Sequence, residues 1–179
     1  MFPIKKKLIL NNNSEFIVQS TYVNHTEIPL LPHPGAFGKE RKNHIHEGID
    51  LYCENGDCVY CVDDGTVINM GDFTGEKVGS PWWNDTSYVL VEHNGFILNY
   101  GEIIQRQNIF VGKKIRKGEI LGEVKTVLKK DKGRPMSMLH LEMYELGTKS
   151  PVSIWKIGDL QPSNLLNPTL FIQNLSNIK

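Results

Sequence analysis

The chain has 179 residues, with 20 Lys and Arg set against 20 Asp and Glu, for a formal net charge of zero. It is 40% hydrophobic and 22% charged, which excludes a disordered chain and gives one domain enough apolar material for a buried core. Neutrality removes any general pull towards nucleic acid or an anionic membrane, and no apolar run is long enough to insert into a bilayer.

The chain opens with Met1-Phe2-Pro3-Ile4, three lysines and Leu8-Ile9-Leu10. The apolar patch after the lysines is far shorter than a secretory core of about 7–15 residues. No signal peptide is expected, and the default location is cytoplasmic, with a non-standard export route as the alternative. Residues 1–33 are expected to form an N-terminal extension, 34–150 the main domain, and 151–179 a segment packing on the core. Leu160, Leu165, Leu166, Leu170, Phe171 and Ile172 would dock that segment.

Between these ends the apolar runs are short, β-branched and punctuated by glycine, so the expected fold is mostly β. Tyr88-Val89-Leu90-Val91-Glu92-His93, then Asn94-Gly95, then Phe96-Ile97-Leu98-Asn99-Tyr100 predicts a hairpin in which both turn residues take positive φ. Asp63-Asp64-Gly65 predicts another turn. Cys53, Cys58 and Cys61 cannot all pair within the chain, and three residues on a strand put Cys58 and Cys61 on opposite faces. They read as small buried hydrophobes in a reducing setting.

Two histidines stand in chemically suggestive company. His46 and Asp50 bracket Gly48 in His46-Glu47-Gly48-Ile49-Asp50. In Met138-Leu139-His140-Leu141-Glu142-Met143-Tyr144 the alternation turns Leu139, Leu141 and Met143 to the core. His140 and Glu142 are expected on the opposite, exposed face. Adjacent Trp82 and Trp83 in a Gly/Pro loop could offer an aromatic surface to a ligand, and Arg134 could grip a substrate carboxylate.

Several of these segments, in order, resemble the lysostaphin/LytM-type (M23) zinc metallopeptidases. His46-Glu47-Gly48-Ile49-Asp50 resembles the family's HxGxD segment, and Phe37-Gly38 with Arg41 resembles its FGxR approach. Val91-Glu92-His93-Asn94-Gly95 through Tyr100-Gly101-Glu102-Ile103 is similar to its hairpin ending in YxHL. Gly118-Glu119-Ile120-Leu121-Gly122 is similar to its glycine-rich segment, and His140-Leu141-Glu142 to its HxHFE strand. The likeness spans residues 34–145.

The resemblance implies a compact antiparallel β-sandwich or barrel-like hybrid with β-hairpins and little helix. It implies a zinc ion (Zn2+) held by His46, Asp50 and His140. The family's other two histidines fall on Glu102 and Met138. Glu102 is then the candidate catalytic base, with Tyr100, Trp82, Trp83 and Arg134 as candidate substrate contacts. The function implied is a zinc-dependent amide hydrolase, with a peptide or peptidoglycan-like partner. A non-catalytic zinc-binding module of the same fold stays open beside it. A phosphotransfer carrier domain of the glucose IIA type, phosphorylated on His46, ranks third because it leaves Met138 to Glu142 unexplained. The oligomeric state is left open.

Overall fold

Short β-branched and aromatic runs fit a pleated, half-buried surface, and glycine closes the turns between them without a Cβ clash. The structure, a computed structural model, describes residues 1–5, 7–10, 16–19, 28–130, 136–152 and 154–177. The strands are β1 (Lys7–Leu10), β2 (Phe16–Gln19), β3 (Ile49–Tyr52), β4 (Cys58–Tyr60), β5 (Gly65–Thr74), β6 (Thr86–His93), β7 (Ile97–Gln105), β8 (Lys114–Ile115), β9 (Ile120–Val124), β10 (Met138–Tyr144) and β11 (Leu165–Leu166). One helix, α1 (Thr169–Asn177), closes the described chain.

β1 and β2 pair with each other. The remaining strands form one antiparallel sheet with the order β11-β10-β7-β6-β5-β8. β3 lies along β10, and β9 bridges β7 and β4. The architecture is mostly antiparallel β with little helix, as expected, and the sheet is open rather than closed into a barrel. β4 and β5, which flank Asp63-Asp64-Gly65, do not pair with each other: β4 turns to β9 and β5 to β6. No described helix is long and apolar enough to cross a membrane.

The core lies under the sheet and contains Val59, Val67, Val89, Val91, Leu98, Tyr100, Leu139 and Leu141, all fully buried. Each such aliphatic side chain contributes roughly 1.5–3 kcal/mol of burial. Cys53 and Cys61 join this core, Cys58 is half-buried, and all three thiols are free. The C-terminal segment docks through Leu165 and Ile172, whereas Leu160 and Leu170 point to solvent.

Two details of β7 position the site. Its hairpin with β6 forms at Asn94-Gly95, with the His93 N–H donating to the Phe96 carbonyl at 2.9 Å. Only Gly95 takes positive φ there, at 94°, so a single residue carries the left-handed turn. Further along, Val89 pairs with Tyr100, but Ser87 pairs with Ile103. β7 thus carries an extra residue, a bulge, and Glu102 sits in it with φ 62°. It is the only described non-glycine residue with positive φ.

Candidate metal centre

β10 runs through the middle of the sheet. His140 sits opposite Asp50 on β3 at one edge and opposite Gly101 on β7 at the other. Cross-strand partners share a face, so His140, Asp50 and Gly101 all face the same side. That face is not exposed, as alternation alone suggested. His140 and Glu142 are only 6% and 3% accessible, because Gly48 and the Phe73 ring lie against His140 while Asn99 and Tyr144 close on Glu142.

Three donor atoms converge on this face. His140 Nδ1 lies 2.9 Å from Asp50 Oδ1, His46 Nε2 lies 3.1 Å from the same oxygen, and the two ring nitrogens are 3.2 Å apart. Donors placed tetrahedrally about 2 Å from one centre lie about 3.3 Å from each other, so the triangle fits a single small cation. These residues form the one such group among those described.

Each ligand is held from behind. His46 Nδ1 donates to the Ala36 carbonyl at 2.9 Å, which leaves Nε2 bare towards the centre. Asp50 Oδ2 accepts from Arg41 Nη2 at 2.6 Å, and the same nitrogen donates to the Pro34 carbonyl at 2.9 Å. His140 Nε2 donates to Glu142 Oε1 at 3.1 Å. Glu142 Oε2 accepts from Asn99 Nδ2 at 2.7 Å and from the Tyr144 hydroxyl at 2.8 Å. The Val152 N–H donates to that hydroxyl at 2.9 Å, tying the C-terminal segment into the site. Such supporting bonds fix tautomer and ring orientation at metal centres.

Close packing leaves little freedom. A Cβ on Gly48 would lie 2.9 Å from two ring atoms of His140 and closer still to the Leu141 carbonyl. Glycine is therefore required between His46 and Asp50. The Phe73 ring lies over Gly101, where a Cβ would meet it at 2.7 Å, and its centroid is 5.5 Å from that of His140.

The electrostatics follow from this crowding. Burial opposes charge on Asp50, but the imidazoles and Arg41 override it and hold its carboxyl well below the usual range. Burial likewise opposes a charged His140, but hydrogen bonds to Asp50 and Glu142 raise its pKa well above the ordinary value. Glu102 moves the other way. Burial first, then the Asp50 charge, pushes its carboxyl up to about 8. Its Oε2 is buried with no partner among the described residues. The bulge explains this placement: regular alternation would have turned Glu102 to the core side with Tyr100.

Tyr100 itself corrects an expectation. It pairs with Leu141 and shares that residue's core face. It is fully buried, and its hydroxyl accepts from the Val62 N–H at 3.1 Å and lies 3.4 Å from His93 Nε2. It is core structure, with no surface to offer a substrate. Trp82 is 62% exposed and stands edge-on to half-buried Trp83. Their loop is clasped to the chain after β9, where the Asn84 N–H donates to the Val127 carbonyl at 2.7 Å. Arg134 lies outside the described residues. Met138 is half-buried opposite Tyr52, on the same face as the ligands.

Asn99, Tyr144 and Phe73 were not singled out from the sequence. Their roles depend on strand pairing and loop closure, which leave no spacing signal along the chain.

Residues 44–152, more than half of the chain, match peptidase family M23. The chain belongs to that family. No curated protein sequence matches it. Among solved structures, this M23 chain resembles the antimicrobial peptidase lysostaphin from Staphylococcus simulans, at 15% identity and a TM-score of 0.55, over 85% of this chain and 50% of lysostaphin. It resembles LytU at 17% identity and a TM-score of 0.52, over 82% of this chain and 84% of LytU. It also resembles a mutant catalytic domain of the prophage-encoded M23 protein EnpA from Enterococcus faecalis, at 18% identity and a TM-score of 0.51, over 78% of this chain and 93% of that one. These likenesses concern the fold. Membership of M23 leaves the phosphotransfer reading without support.

Proposed function

We propose that this M23 protein is a zinc-dependent hydrolase that cuts amide bonds in peptides of the peptidoglycan type. The convergence of His46 Nε2, Asp50 Oδ1 and His140 Nδ1, with the buried Glu102 carboxyl, whose Oε2 has no partner among the described residues, in electrostatic reach, carries this reading. Two imidazoles and one carboxylate are a donor set suited to catalytic zinc, with one position left open. A cation held there supplies a Lewis acid that lowers the pKa of water to about 7, polarises the scissile carbonyl, and by its charge draws the Glu102 carboxyl down.

Glu102 then acts as the base. Its free carboxylate oxygen takes a proton from water as the water oxygen bonds to the carbonyl carbon. The proton passes to the departing nitrogen as the C–N bond breaks, so one water is consumed and an acid and an amine are released. A positioned base of this kind is worth roughly 10²–10⁴ in rate. Arg41 and Glu142 hold the ligands in place throughout. Trp82 and Trp83 form the candidate surface for the rest of the substrate.

The test is digestion of purified peptidoglycan by zinc-loaded protein, followed by mass spectrometry of released fragments. New amine termini with wild type, lost in Glu102→Gln at full zinc content, support the hydrolase. The second reading, a zinc-binding module without turnover, is favoured by Met138, which has no proton to give. Stoichiometric zinc with no cleavage of any peptidoglycan would decide for it.

A further inference from the structure

Amide hydrolysis places negative charge on the carbonyl oxygen, and Met138 offers that oxygen no hydrogen bond. We propose that His33 supplies the missing donor, standing against Tyr52, the cross-strand partner of Met138. This rests on the hydrolase reading above.

Strand register sets the geometry. Met138 lies opposite Tyr52, and His140 opposite Asp50, so all four side chains share one face. The His33 ring meets the Tyr52 ring edge-on, at 5.8 Å between centroids and 86° between planes. Gly35 is the meeting point. A Cβ there would lie 3.0 Å from the Tyr52 ring, 3.1 Å from Asp50 Cβ and 3.3 Å from His33 Nδ1.

The turn around His33 is built into the metal centre. Its carbonyl accepts from the Ala36 N–H at 3.0 Å, and the Ala36 carbonyl in turn orients His46. The Gly35 carbonyl accepts from the Asp50 N–H at 2.9 Å. The Gly35 N–H donates to His33 Nδ1 at 3.0 Å. With Nδ1 used as an acceptor, the neutral ring must carry its proton on Nε2, as a donor. Burial lowers the pKa of His33, which favours this neutral form near pH 7. A preorganised donor aimed at a developing oxyanion is worth about 10²–10³ in kcat.

The experiment uses zinc-loaded full-length protein and soluble muropeptides, with kcat and KM measured separately and zinc content checked for each variant. His33→Ala is expected to keep its zinc and a KM within about twofold, while kcat falls about 10²–10³-fold. His33→Gln, whose amide can donate, should recover at least about tenfold of that loss. Wild-type kcat in His33→Ala, or a loss in Tyr52→Phe that His33→Ala does not share, would overturn the proposal. Inorganic phosphate provides a readout independent of turnover, as a tetrahedral oxyanion titrated into zinc-loaded protein by NMR. Phosphate should shift the His33 Nε2–H resonance and bind His33→Ala about tenfold more weakly. Equal binding and no shift would overturn the proposal even if peptide is cleaved. A shift with no peptide cleavage by wild type would sink the hydrolase reading and leave the His33 donor standing.

Discussion

His140 Nε2 and Glu142 Oε1, two residues apart on β10, are 3.1 Å apart. Alternate residues of a strand share a face, so one short sequence supplies both a candidate ligand and the carboxylate that orients it. The bond commits Nε2 and leaves Nδ1 for the centre. Glu142 is itself locked by Asn99 and Tyr144. Tyr144→Phe should therefore weaken zinc binding about 10-fold, and Glu142→Ala by up to about 100-fold. Competition with a chromophoric chelator measures both, and unchanged affinity in both variants would contradict the supporting role.

Zinc uptake should release protons. His140 in the metal-free protein is held charged by Asp50 and Glu142, and its Nδ1 must lose a proton to become a ligand. Affinity should fall as pH drops from 8 to 6, and calorimetry in buffers of different ionisation enthalpy should show net proton release. The His140 contribution to metal-free stability is fully present below an unfolded pKa of about 6.5 and is lost as pH rises through the raised folded value. Bound zinc at about 100 times its Kd adds about 2.7 kcal/mol, so chelation should lower Tm.

Glu102 yields a prediction of its own. Its pKa is raised from 4.5 to about 8, so between these values the folded state keeps a proton that the unfolded state releases. Metal-free stability should fall as pH rises through that window. Glu102→Gln removes this slope: the variant should match wild type near pH 4 in urea midpoint and exceed it near pH 9. If the difference between the two proteins does not change with pH, the buried carboxyl is not the cause.

Gly48→Ala should disturb the centre without removing a ligand. The added methyl meets the His140 ring and the Leu141 backbone, neither of which can swing away. A loss of about 1–3 kcal/mol is expected from the overpacking, with weaker zinc binding. Thermal melting and zinc content together test this, and a variant with wild-type values for both would show that β3 and β10 can separate.

The candidate ligand set was within reach of the sequence through the family resemblance, whose motifs are local. His46, Gly48 and Asp50 sit within five residues, and His140 and Glu142 alternate on one strand. The hairpin at Gly95 was legible for the same reason, since a turn needs a residue that tolerates positive φ. Alternation misjudged the exposure of His140, because period two reports which residues share a face but not what covers it. The bulge at Glu102 decides that its carboxyl leaves the core side, and a one-residue mismatch between β6 and β7 has no signature in either strand alone. Arg41 on Asp50, Tyr144 on Glu142 and His33 beside Tyr52 likewise exist only once distant segments meet. The sequence by itself determined the mostly β fold class and, through the family resemblance, named the candidate donor residues. Tertiary structure decided their burial, their tautomers and their neighbours, because those depend on pairings between residues far apart in the chain.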